Sequence, residues 1–131
     1  MMTRRALAAL GLPLVFFGEA YAQPTGTNTP SSANPAPNTQ AVSAYTFSPT
    51  DVSVINNYST GAVTWTLPIV SGNIGRWLHV QTVRAVAVSS AAANVVLIGT
   101  TVATTVLLVN TAGKWAELQS DGTNWIVMAS N

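Results

Sequence analysis

The chain reads as an all-β protein: a small antiparallel β sandwich or prism-like knob, preceded by an apolar N-terminal segment and an extended linker. Three observations predict this. From Tyr45 onward, apolar and polar residues alternate with a period of two. Turn residues recur at the spacing of short strands. Two strand-like runs, Trp115 to Gln119 and Trp125 to Met128, flank Asp121-Gly122, a dipeptide that readily takes the φ angles of a two-residue hairpin turn. No helical period of useful length follows residue 22.

Composition narrows the possibilities. A chain of 131 residues allows one domain, expected at residues 45–131. Charged residues are 7% of the chain and apolar residues 48%, whereas an ordinary soluble domain has roughly 25% charged residues. The surface is therefore built from Thr, Ser, Asn and Ala. Such a surface repels its own copies weakly, and burial against identical subunits is one way to keep it soluble and specific. A net charge of +1 without a Lys/Arg cluster argues against nucleic acid as a partner. Having no cysteine, the chain has neither a disulfide framework nor a thiolate zinc site.

Taken in order, residues 1–22 have the layout of a secretory signal or a retained apolar anchor. Arg4 and Arg5 form a basic start, Ala6 to Phe17 an apolar run, and Ala20-Tyr21-Ala22 a small-residue cleavage pattern. The run is shorter than the roughly 20 residues of a membrane span. Residues 23–44 scatter Pro24, Pro30, Pro35 and Pro37 among Thr, Ser, Asn and Gly, the composition of a linker or extended arm.

The β domain follows. Val63, Trp65 and Leu67 share one face, and Pro68 stops that strand. Beyond the Ser71 to Gly75 loop, Leu78, Val80 and Thr82 alternate with Trp77, His79 and Gln81. Val86 and Val88 read as a strand, and Ser89 to Ala93 as a turn. Asn94 to Gly99 and Thr105 to Val109 are apolar on both faces, so both need cover on two sides. Either a sandwich core or a second subunit can supply that cover.

Chemistry is sparse. His79 could join Asp51 or Asp121 and a serine, but no Gly-x-Ser-x-Gly elbow accompanies them. Asp51, Glu117 and Asp121 are too scattered for a metal site, and Asp121 is explained by its turn. No enzyme activity and no cofactor are expected. Of the tryptophans, Trp65 and Trp125 sit in register with aliphatics and read as core. Trp77 and Trp115 share faces with His79, Gln81, Glu117 and Gln119, so Trp77, His79 and Trp115 are the candidate interface or ligand platform. Asp121, Gly122 and Trp125 are assigned to the turn and its support.

Read as an ordered string, the domain resembles a known family. The succession is Tyr45-Thr46-Phe47, Asp51, Val52 to Asn56, Gly61-Ala62-Val63-Thr64-Trp65-Thr66-Leu67-Pro68, Asn73-Ile74-Gly75-Arg76 and Val95 to Gly99. Val106-Leu107-Leu108 and Leu118-Gln119-Ser120-Asp121-Gly122-Thr123-Asn124-Trp125 complete it. It resembles a β module of tailed-bacteriophage fibre, spike and head-decoration proteins over residues 45–131. The resemblance implies a non-enzymatic, usually trimeric component of the virion surface. It would attach to other virion proteins through its N-terminal part and present its β knob outward, toward a host-surface glycan or protein. The signal-like N-terminus supports a different setting, a secreted or periplasmic β domain that binds carbohydrate or acts as an adhesin.

Overall fold

The computed structural model describes residues 36–131. The signal-like segment 1–22 and residues 23–35 of the expected linker lie outside the described residues. Eleven strands follow in order: β1 Asn38–Gln40, β2 Ala44–Thr46, β3 Ser53–Asn56, β4 Val63–Thr66, β5 Trp77–Thr82, β6 Val88–Ser90, β7 Val95–Val96, β8 Ala103–Thr104, β9 Val106–Leu108, β10 Trp115–Ser120 and β11 Trp125–Ser130. Among the described residues one 3-10 turn, Val70–Gly72, interrupts them. Seven strands form one sheet in the order β1-β3-β5-β10-β11-β7-β8, and four form the other in the order β2-β4-β6-β9. The molecule is all-β, a small sandwich of two sheets.

Both sheets are mixed, where the sequence predicted antiparallel pairing. β1 with β3, β3 with β5, β2 with β4, β4 with β6 and β7 with β11 run parallel. β5 with β10, β10 with β11, β6 with β9 and β7 with β8 run antiparallel. The reason is the path of the chain. From β1 to β7 consecutive strands fall alternately in the larger and the smaller sheet, so the chain winds round the core. Parallel neighbours need a crossover connection, and here a strand of the opposite sheet serves where an α/β protein would use a helix.

The same path closes the sides of the sandwich. β1 and β2, separated by Ala41 to Ser43, are edge strands of the two sheets, and so are β8 and β9, separated by Thr105. At each side the chain steps from one sheet to the other, which is a way to shield open edges.

Trp65 and Trp125 are the largest fully buried side chains, surrounded by Val54, Val63, Leu78, Val80 and Leu118. Phe47 meets Trp65 edge-on with ring centroids 5.6 Å apart, a favourable quadrupole arrangement. Trp125 Nε1–H donates to the Pro68 carbonyl at 3.1 Å, so Pro68 both ends its strand and serves a core tryptophan. The Trp65 Nε1–H is buried without a partner.

Several boundaries differ from expectation. β1 lies within the span read as linker, so the ordered unit begins before Tyr45. Its residues Asn38-Thr39-Gln40 are all polar and give no alternation to read. The strand expected at Val86 to Val88 instead runs Val88–Ser90, and Ser90 is buried with its hydroxyl donating to Asn94 Oδ1 at 2.8 Å. Of the Asn94 to Gly99 run, only Val95–Val96 is strand. The hairpin turn is longer than two residues: Ser120 pairs with Trp125 across Asp121 to Asn124. Within that loop Gly122 alone takes a positive φ, +93°. Asp121 does not adopt αL geometry; its Oδ1 accepts from the Thr123 and Asn124 amides at 2.7 and 2.6 Å, a side-chain cap of the loop.

Candidate functional site

The site is built by register. β5 and β10 pair so that Trp77 lies opposite Gln119, His79 opposite Glu117 and Gln81 opposite Trp115. On the other side of β5, β3 places Ser53 beside His79 and Ile55 beside Gln81. Because side chains alternate along a strand, Leu78, Val80, Ala116 and Leu118 enter the core. Trp77, His79, Glu117 and Ser53 therefore face outward together.

These outward residues border a recess of about 480 Å³, walled on the other side by Pro37 and Val52. Trp77 is 48% exposed, although the next residue, Leu78, is buried. The imidazole of His79 stacks on the indole of Trp115, with ring centroids 5.9 Å apart and planes inclined by 22°. Trp77 and His79 thus share one recess. Trp115 backs His79 and borders a second recess, of about 230 Å³, with Ile98, Val106 and Val109.

Ser53, His79 and Glu117 form a lateral row of nucleophile, base and carboxylate types that linear spacing did not reveal. Parallel pairing of β3 with β5 brings Ser53 into the row, and strand direction is not encoded in alternation. A catalytic relay requires hydrogen bonds between neighbours. Among the described residues the His79 ring is instead engaged by the Trp115 stack.

Asp51 and Asp121 have structural settings. Asp51 is buried and accepts hydrogen bonds from Tyr45 Oη at 2.6 Å, Asn38 Nδ2 at 3.0 Å and the Ser48 amide at 2.7 Å. Arg76 Nη2 donates to the carbonyls of Ser48 and Asp51 at 3.1 and 2.7 Å, and Nη1 to Asn73 Oδ1 at 2.9 Å. Burial pushes the Asp51 carboxyl up, but the hydrogen bonds and the Arg76 charge together outweigh it and hold the group below its usual range. Burial, helped by the Asp51 carboxylate, pushes the Tyr45 phenol up to about 12. In the hairpin loop, the Asn124 and Thr123 amides hold the Asp121 carboxyl below its usual range.

No protein-family model, curated protein or solved structure matches the chain. The chemistry of the site therefore rests on its own residues. Among the described residues no group of three or more His, Cys, Asp or Glu is placed to hold a metal ion, and no helix is long and apolar enough to cross a membrane. What the outward face offers is an aromatic plane, a hydroxyl, an imidazole and a carboxylate on rigid strands. Beside β7, β8 and β9, Ile98, Val102, Val106 and Val109 are exposed, and Ile98, Val106 and Val109 border the second recess with Trp115.

Proposed function

We propose that this chain is a non-enzymatic structural or attachment module that works by self-assembly. The observation that carries the reading is the aliphatic surface beside β7 to β9, where Ile98 is 59% and Val102 74% exposed, with Val106 and Val109 next to them in sequence. Hiding such surface is favourable by about 25 cal/mol per Å². The charged side chains in residues 36–131 are Arg76, Arg84, Lys114, Asp51, Glu117 and Asp121, and of these only Lys114 lines the recess that Ile98, Val106 and Val109 border. A second copy of the chain, predominantly aliphatic at the same place, is the fitting partner.

The setting comes from the family resemblance: a homotrimer on a bacteriophage particle, as fibre, spike or capsid decoration, held to other virion proteins through its N-terminal segment. The experiment is light scattering of the full chain at micromolar concentration. An oligomer that Ile98→Asp or Val106→Asp dissociates into folded monomers is the expected result. A wild-type chain that stays monomeric sinks the reading.

A further inference from the structure

We infer that the outward face of β3, β5 and β10 is a binding site for a neutral saccharide, with Trp77 as stacking plane and Glu117, His79 and Ser53 as polar contacts. The inference goes beyond self-assembly and does not depend on it, since none of these residues belongs to the aliphatic set beside β7 to β9.

The composition of the recess selects the ligand class. Among the described residues its lining contains no Lys or Arg, so an anionic ligand would meet Glu117 without a compensating cation from them. An organic cation is held best when desolvated against aromatic faces. Here the Trp115 ring is stacked on His79, which leaves the Trp77 indole as the free aromatic plane beside the recess. A pyranose fits this combination. Its C–H face covers an indole, and its rim of hydroxyls needs acceptors and donors at the side of the ring. Glu117 supplies an acceptor, and Ser53 and His79 supply groups able to donate or accept.

Placement adds to composition. All four residues sit on paired strands, and His79 is braced from behind by Trp115. A site on paired strands loses little backbone freedom when it binds. Pro37, just before β1, walls the recess, and Asn38 ties that segment to Tyr45 and Asp51 at 2.6 and 3.0 Å. The wall is thus anchored by the hydrogen bonds around Asp51.

Saturation-transfer NMR of the full chain with glucose, galactose, mannose, N-acetylglucosamine and their oligomers tests the site, with indole fluorescence as second readout. At least one neutral sugar should receive saturation and perturb the fluorescence. Trp77→Ala should abolish both signals, and Glu117→Gln, which keeps an acceptor oxygen but loses its charge, should weaken binding by up to about tenfold. Because Trp77 is half exposed, the Ala variant should keep the wild-type circular dichroism, and Trp77→Phe should retain partial binding. The Val106→Asp chain should bind sugar as wild type does, so failure of this site and failure of the assembly reading are distinguishable. Absence of transfer to every neutral sugar, transfer unaffected by Trp77→Ala, or Trp77-dependent binding of tetramethylammonium in their place would overturn the inference.

Discussion

Asp51 joins β1, β2 and the turn that follows β2. Its carboxylate takes hydrogen bonds from Asn38 on β1, from Tyr45 on β2 and from the Ser48 amide, and this geometry has a pH signature. A carboxyl held below its usual range contributes stability above about pH 4, lost as pH falls through the lower folded value. The Tyr45 phenol, pushed up to about 12, contributes in the opposite sense, with stability present below about pH 10 and lost as pH rises. Denaturant midpoints measured across pH should decline at both extremes. Asp51→Asn should cost about 1–3 kcal/mol near neutrality and flatten the acid decline; an unchanged acid decline would place its origin elsewhere. Alternation made Trp65 and Trp125 recognisable as core, since each falls in step with aliphatic neighbours. It was silent on Asp51, because its partners Asn38, Tyr45 and the Ser48 amide are polar groups on short or irregular segments that leave no apolar period to read.

At the scale of elements, the β10–β11 hairpin was legible and its turn was not. Asp-Gly announces a reversal, but loop length follows from pairing, and Ser120 with Trp125 leaves four residues between them. Gly122 carries the demand for a positive φ, and a Cβ there would lie 3.0 Å from the Ile74 side chain. Gly122→Ala should therefore lower stability by about 1–2 kcal/mol through backbone geometry. Ile74→Ala in the same chain should recover little, because Ile74 is exposed and its side chain can swing away. Thermal melts of the single and double variants measure both. The faces of β5 were readable for the same reason as the hairpin: Trp77, His79 and Gln81 alternate with Leu78, Val80 and Thr82. β1 was hidden because a short polar edge strand has no apolar pattern, and Ser53 stood outside the candidate site because alternation fixes a face without fixing strand direction.

At the scale of the whole molecule, two surfaces divide the work proposed for it. Aliphatic residues beside β7 to β9 would face other copies, while the aromatic recess on β3, β5 and β10 would face outward to a ligand. Trp115 stands between them, stacked on His79 and bordering the recess of Ile98, Val106 and Val109, whereas Val106 and Trp77 each line only one recess, which is why Val106→Asp and Trp77→Ala make a discriminating pair. Low charge was plain in the composition, and it pointed to a partner without saying where. The location required the fold, because residues of the Asn94 to Gly99 run divide between the buried Val95 and the exposed Ile98.

The winding path also sets a timetable for synthesis. β5 is flanked by β3, which precedes it, and by β10, which leaves the ribosome well after it. Between β1 and β6 no two consecutive strands are sheet neighbours, so the early chain has no hairpin with which to begin folding. Such non-local topologies fold slowly, on the order of milliseconds to seconds. A chain stopped after Gly113 should stay protease-sensitive and lack the sheet signal in circular dichroism, whereas the full chain should resist proteolysis. A protected fragment 1–113 would refute this order of events. If the order holds, the β domain spends most of its translation as an open chain, and the emergence of β10 and β11 marks the moment at which it can fold.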